Sequence, residues 1–569
     1  MTQLQDDREP LVKIRVVRWR GSVALLVFAV IMLLAAINPG RPDVLFIERW
    51  KSVSSAVLLV VLAVLRLRGR EVEVSAPSPI PVNYVRGRLR FPVRFVRQQL
   101  RALSLRNPPL AYSVQWLGLS IPDHATEPNF CLVGGQGSGK TTLLRELMHS
   151  VLRQIRSGSG VRALVSDPKR DMLPFIARFT DAPIHILSPF DARSIAWDLA
   201  ADLRDSAAAR HVAAILVPDS KSDQSQFFIH SARLLLHAIL QALMLAAPGR
   251  WTLRDVIAFA RNPERAKRLL TEFPLTADVL ALYGGADITS LNASQTLYAT
   301  IASLEPVAAA WERAPTRFSI SAWMNTESVL LLGQDWMHAS TLSAINRVLF
   351  RRIVEVVLNQ PETRRATTWF FLDELKESGR LDGINQLMTN GRSKGARVAC
   401  AFQDLRGLQS VLGEKEADEV VGLCGYLSFL RLASEPTAEW ASRVIGEAEC
   451  WEESYSFSQH NTTSRAVVAR RAVLPSQLLS IPPVENMLVT GFHLVPQCGG
   501  LIHTQQRPTD FRDAVATYGA APAFVERSPE SLVLEPWLED DWARLNIPSG
   551  ASPTGQTATV ADCRRIRFS

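Results

Sequence analysis

At 569 residues the chain is too long for one ordinary domain, and its length predicts roughly three or four. Nearly half of it (47%) is apolar, ample for a large core, and its net charge of +8 suits an acidic partner such as nucleic acid or anionic lipid. The six cysteines (Cys131, Cys400, Cys424, Cys450, Cys498, Cys563) are widely scattered with no CxxC pair, which excludes a zinc signature and a disulfide framework and fits a reducing cytoplasmic body.

The amino terminus carries two uncharged apolar runs, Ser22 to Ile37 and Ser54 to Leu65, separated by a segment holding Pro39, Gly40 and Pro42. Each run is shorter than the roughly 20 residues that span hydrocarbon. Flanking residues complete two transmembrane helices at about 20–38 and 50–66, with Trp19 and Trp50 where interfacial aromatics belong. Lys13, Arg15, Arg18 and Arg20 precede the first run, and Arg66, Arg68 and Arg70 follow the second. Residues 1–70 are therefore expected to form a membrane hairpin with both flanks cytoplasmic and Asn38 to Lys51 on the far side. A signal peptide is the alternative for the first run; the second run and its basic flank argue against cleavage.

From Arg66 to Arg106 there are ten arginines and two acidic residues, punctuated by Pro77, Pro79, Pro81 and Pro92. Residues 71–106 read as a basic juxtamembrane linker resting on anionic headgroups, in preference to a collar where DNA passes. Asn129 to Val133 is a short apolar run opening into a glycine loop, and helical spacing follows from Thr142. Val161 to Asp167 and Ile184 to Leu187 read as further buried strands. Strands alternating with helices predict a parallel, helix-covered α/β sheet. Residues 199–305 change texture: segments such as Phe227 to Ala247 have helical periodicity without a convincing strand, and read as an all-α insertion. Strands resume at Ser328 to Leu332, Thr368 to Leu372, Arg397 to Phe402 and Leu427 to Leu430. The expected nucleotide domain is thus 107–198 plus 306–527. Residues 528–569, rich in Ser, Pro, Gly and Thr, read as a flexible tail apart from the acidic-aromatic patch Glu535 to Trp542.

The chemistry centres on Gly134-Gly135-Gln136-Gly137-Ser138-Gly139-Lys140-Thr141, followed by Thr142. Glycines let backbone N–H groups turn inward around phosphates where a Cβ would obstruct them. In such a loop Lys140 reaches the β- and γ-phosphates and the Thr141 hydroxyl ligates Mg²⁺, so the loop predicts ATP as the cofactor with Mg²⁺. An acidic pair ending a buried strand should complete the site, and Asp373-Glu374 fits: Asp373 holds the metal and Glu374 polarises water. Without the loop, the pair would read as an acidic helix start favoured by the helix dipole. Gln403, just past a strand, is a candidate γ-phosphate sensor or a surface glutamine. Arg392, in Gly391-Arg-Ser-Lys-Gly395, is a candidate arginine finger or a solvated cation. Asp167 and Lys169, in SDPKRD, either border the nucleotide or form a solvated strand exit.

Together these segments resemble the type IV secretion coupling proteins of the TraD/TrwB group, the DNA-translocating ATPases of bacterial conjugation. The two-span amino terminus, LVGGQGSGKTTLLREL, VSDPKRDM, LSPFDARSIAWDL, FFLDELKESGRL, GRSKGARVACAFQDL and RVIGE carry the resemblance, in order and in spacing, as far as about Glu526. It implies a RecA-like nucleotide domain with an inserted all-α domain and a ring, usually a homo-hexamer, with ATP sites between subunits and a DNA channel. It also implies an inner-membrane protein with a cytoplasmic ATPase body, whose partners are transferred DNA, single-stranded in the leading reading, a relaxase or relaxosome, and the secretion channel. Family roles map onto Lys140, Thr141, Asp373, Glu374 and Gln403, with Arg392 at the place of the proposed finger. Ser393 stands where many relatives have a second basic residue, and the long acidic tail of some members is missing. An ATP-gated receptor for protein effectors and a double-stranded DNA pump of the chromosome-segregation type are the competing readings.

Overall fold

The computed structural model describes residues 12–15, 71–74 and 83–548, except 111, 220–222, 277–278, 281–287, 457–461, 485–487, 508–510 and 512–521. The expected membrane spans and residues 549–569 lie outside the described residues. The chain divides into a small unit (residues 1–86 and 449–468) and a large one (residues 87–448 and 469–569).

The large unit is built on a ten-stranded sheet. Its strands, numbered in chain order, are β1 (Arg90–Phe91), β2 (Asn129–Val133), β3 (Arg162–Asp167), β4 (Ile184–Leu187), β5 (Val329–Gly333), β6 (Thr363–Leu372), β7 (Lys394–Phe402), β8 (Cys424–Phe429), β9 (Val489–Val495) and β10 (Gly500–Gln506). Their spatial order is β1-β10-β9-β8-β2-β7-β6-β3-β5-β4. From β8 to β4 every pairing is parallel, while β9 runs antiparallel to both β8 and β10. All five residues of β2 are buried because both sheet faces are covered. Cys131 and Val133 enter the core on one face, Phe130 and Leu132 the core on the other, as the two-residue period of a strand requires.

Strands β2 to β8 lie where sequence patterning expects them; β1, β9 and β10 were not anticipated. Helix α1 (Val93–Arg106) corrects the linker reading of 71–106 for its second half. Val96 and Leu100 are buried in the sheet core while Arg94, Arg97, Arg101 and Arg106 face solvent. The arginines that suggested a headgroup-bound linker are the wet face of an amphipathic helix.

Helix α2 (Lys140–Leu152) follows β2. The inserted bundle comprises α3 (Ser206–Leu216), α4 (Asp223–Ala246), α5 (Leu253–Arg261), α6 (Pro263–Thr271), α7 (Ile288–Ile301) and α8 (Glu305–Glu312). Its neck is closed by a two-residue parallel ladder, Ala196–Trp197 against Arg317–Phe318, so the helical excursion runs past the expected boundary at 305. Asp202 pins that neck: buried, it accepts from Trp197 Nε1 (2.8 Å), Ser319 Oγ (2.9 Å) and the Ile320 amide (2.7 Å). Among the described residues only Gln226–Ala246, within α4, is long and apolar enough to cross a membrane. Half of that window is buried, with Leu236, Ile239 and Leu243 in the bundle core, as the central helix of a bundle requires.

The expectation of a flexible tail fails for residues 528–548. Trp542, Leu545 and Ile547 are buried in the bundle core. Trp542 lies 5.7 Å from the Phe259 ring and under the Arg268 guanidinium (3.9 Å), while Arg254 chelates Asp541 with two bonds of 2.9 Å. Arg544 pairs with the fully buried Asp255. The acidic and aromatic residues of the patch are its docking contacts; Ser/Pro/Gly/Thr richness describes only the chain around them.

In the small unit, Val12–Arg15 pairs antiparallel with Glu71–Val74. A further sheet has the strand order Thr462–Arg471, Glu447–Ser456, Tyr84–Gly87.

Candidate nucleotide site

The sheet topology assembles the site. Strand β7 lies between β2, which leads into the glycine loop, and β6, which ends in Asp373-Glu374; β7 itself leads to Gln403. Three carboxyl strand ends thus converge at the edge where parallel α/β sheets bind ligands.

In the loop, Gly139 caps α2 with φ of 97°, a left-handed conformation, and an added Cβ would meet Val489 Cγ2 at 2.7 Å. Gly137, at φ 68°, has open space on its Cβ side. Lys140 is buried, and its Nζ donates to the carbonyls of Gly134 (2.7 Å) and Gly135 (3.1 Å) and lies 3.6 Å from Glu374 Oε1. Burial pushes the Lys140 ammonium below its ordinary value, opposed by Glu374 and then Asp373.

Thr141 Oγ1 donates to Asp373 Oδ2 at 3.0 Å across 232 residues of sequence. Burial raises the Asp373 carboxyl, with Lys169 opposing. Its other oxygen, Oδ1, is buried and has no hydrogen-bond partner among the described residues. An orphaned anionic oxygen beside a hydroxyl is a hard-oxygen donor set, which suits Mg²⁺.

Glu374 takes a left-handed backbone (φ 52°), rare for a side chain of its size and characteristic of functional sites. Its Oε1 accepts from Gln403 Nε2 (3.3 Å) and from Lys169 Nζ (3.2 Å). Behind the pair, the Ser378 hydroxyl reaches the Asp373 and Glu374 carbonyls, both at 3.4 Å, and Ser166 Oγ at 2.8 Å, tying the acidic turn to β3.

The structure separates residues that sequence left open. Lys169 joins the site, 3.9 Å from Asp373 Oδ2; burial works against its charge, but Asp373 and Glu374 hold it above its ordinary value. Asp167 instead accepts from the Asp171 and Met172 amides (3.0 and 3.1 Å), and burial, then Asp171, push it up to about 6. Of the loop residues, Gln136 and Gly137 are exposed, Ser138 is buried and Thr142 lies in the first turn of α2. Arg392 is not brought to this site. It precedes β7, whose nine residues place it roughly 30 Å from Gln403 at the opposite sheet edge. There it pairs with Glu127. Ser166 and Ser378 escaped sequence reasoning altogether: they meet across 212 residues, and serines near strand ends carry no signal.

A model of the type IV secretion-system coupling protein DNA-binding domain matches residues 113–496, more than half of the chain. The chain belongs to that family. It is 25% identical to the coupling protein TraD of Escherichia coli K12 over 339 residues, 58% of this chain and 45% of that protein. The chain therefore spans less than half the length of this curated relative. The plasmid coupling protein TrwB in complex with ADP and Mg²⁺ shares its fold, with a TM-score of 0.62 at 22% identity, over 79% of this chain and 99% of TrwB. TrwB in complex with the non-hydrolysable ATP analogue ADPNP gives 0.61 at 22% identity, over 80% and 99%. These likenesses establish the α/β fold with its helical domain.

Proposed function

We propose that this coupling-protein chain is an ATP-driven motor that moves DNA, single-stranded in transfer, through a type IV secretion channel during conjugation. The observation that carries the reading is the convergence of Lys140, Thr141, Asp373, Glu374 and Gln403 at one sheet edge. The TrwB complexes with ADP and Mg²⁺ and with ADPNP support nucleotide as the ligand.

The geometry supports the following roles. The amides of Gly134 to Thr142 cradle the phosphates, and Lys140 exchanges the Gly134 and Gly135 carbonyls for phosphate oxygens. Thr141 and Asp373 would hold Mg²⁺, which when bound neutralises charge developing on the phosphates. Glu374 accepts the proton of the attacking water, and Gln403, bonded to Glu374, senses whether the γ-phosphate is present. Lys169 pairs with both carboxylates and parts from them when nucleotide arrives. Arg392, remote from its own site, can act only in trans, as a finger toward a neighbouring subunit of a homo-hexamer.

Residues 1–70 would anchor the chain in the inner membrane, the body lying in the cytoplasm. The antiparallel pairing of Val12–Arg15 with Glu71–Val74 supports flanks on one side of the bilayer. We assign 107–198 and 306–527 to the nucleotide domain, with β1 and α1 added to it. The all-α bundle (199–305, extended to Glu312) would face the DNA and a relaxase or relaxosome.

The test is ATP hydrolysis by the solubilised chain with and without single- and double-stranded DNA at two salt concentrations. DNA should stimulate turnover, less so at high salt because phosphate contacts release counterions. Lys140→Ala should abolish it. A rate indifferent to DNA under all conditions would overturn the motor and leave the effector receptor.

A further inference from the structure

Sequence spacing scatters the cysteines; the sheet gathers three of them. Cys131 on β2 is the direct cross-strand partner of Cys400 on β7, and Leu427 of β8 pairs with Cys131 on its other side. Cys424 opens β8, and the three sulfur atoms lie within 4.8 Å of one another. All three residues are buried, at 0%, 1% and 5% exposure, in one continuous apolar core. The polar atoms they touch are the Phe130 carbonyl (Cys400 Sγ, 3.5 Å) and the Val420 carbonyl (Cys424 Sγ, 3.3 Å).

Two features separate this cluster from three small core residues. First, its spacing is of the order an ion needs: sulfurs about 2.3 Å from a shared ion lie roughly 4 Å apart, and these lie within 4.8 Å of one another. Second, one of its members borders open space. Cys424 lines a cavity of about 560 Å³ with Arg88, Gly425, Trp440, Val444, Leu494 and Pro496, at the sheet edge opposite the nucleotide site.

We propose that Cys131, Cys400 and Cys424 form a trithiol site for a trivalent soft metalloid, with arsenite as its probe. Charge selects the class. Three thiolates around a divalent ion leave one negative charge, and around a monovalent ion two, in an apolar core where an uncompensated charge is costly. A trivalent ion leaves none. As(OH)₃ and three cysteine thiols give As(S-Cys)₃ and three waters: three As–O bonds break, three As–S bonds form, and each thiol proton leaves on a hydroxide. Nothing is oxidised or reduced, and neutral reactants give a neutral product. Soft thiolate donors favour such an ion over hard cations. Occupancy would tie together the strands leading to the glycine loop and to Gln403, so the site is a place where a thiophilic poison could stiffen the motor. The inference does not depend on what the motor moves.

The test uses the full chain incubated with sodium arsenite, then desalted in excess glutathione to strip ions held by one thiol. Expected is one arsenic per chain, and protection of Cys131, Cys400 and Cys424, but not Cys450, from alkylation after denaturation. Cys424→Ala should lower retention by about tenfold or more, since even a residue that only orients a ligand is worth about tenfold to a hundredfold, while Cys450→Ala leaves it unchanged. Retention that survives Cys424→Ala, protection of other cysteines, equal retention of Zn²⁺, or no arsenic retained would each overturn the proposal. Should Cys424→Ala fail to fold, alkylation protection in the unmodified chain decides alone.

Discussion

Replacing Glu374 by glutamine should separate nucleotide binding from the proposed hydrolysis at this site. Oε1 of Glu374 is where Lys140 (3.6 Å), Lys169 (3.2 Å) and Gln403 (3.3 Å) converge. Glutamine keeps an oxygen there, of the same reach, so the donors retain an acceptor and the acidic turn retains its shape. Lys140 still holds two carbonyls, and Thr141 and Asp373 are untouched. Nucleotide affinity should therefore change little. The amide cannot accept a proton from water, and a positioned general base contributes roughly a hundredfold to ten-thousandfold, or about 3 to 5 kcal/mol of barrier. Turnover should fall by that factor, measured by phosphate release at saturating ATP with DNA present, while equilibrium binding of a fluorescent ATP analogue stays within a few-fold. A Glu374→Gln chain that binds ATP normally and turns over within about threefold of the unmodified rate would refute the assignment of Glu374 as the base.

Three further outcomes are expected. His493 is fully buried between Ser428 Oγ (2.8 Å) and Thr504 Oγ1 (2.7 Å), and burial drives it from 6.5 to about 3. The unfolded chain therefore takes up that proton first: the stabilisation is complete above pH 6.5 and is lost as pH falls toward 3, costing about 2 kcal/mol by pH 5. His493→Gln should flatten this slope in denaturant titrations between pH 7.5 and 5. Trp542→Ala should destabilise the helical domain by about 3 kcal/mol or more, the usual cost of truncating a buried tryptophan. Limited proteolysis and thermal unfolding report it, and an unchanged midpoint would contradict the docked tail. Arg392→Ala should lower hydrolysis only under conditions that assemble the ring; equal loss in the monomer would exclude action in trans.

The nucleotide site was legible because its chemistry is local. A phosphate loop must be a contiguous run of small residues with Lys140 and Thr141 fixed beside it, and Asp373-Glu374 must end a buried strand. Strands β2 to β8 were legible for a related reason: burial on both faces makes them continuous apolar runs. Periodicity misled where one side of an element is wet. The arginines of α1 and the serines and prolines around Trp542 read as linker and tail, because composition cannot say what an intermittent apolar residue packs against.

Sequence alone thus determined that a phosphate loop, an acidic strand end and a helical insertion occur in this chain and in this order. Only the tertiary structure decided which distant residues share a few ångströms. It brought Lys169 to the acidic pair and left Asp167 as a backbone cap. It set Arg392 at the far sheet edge, docked Trp542 on the bundle, and gathered Cys131, Cys400 and Cys424 on neighbouring strands. Such neighbours are fixed by strand order and register, which depend on how the whole sheet packs and leave no mark at any single position.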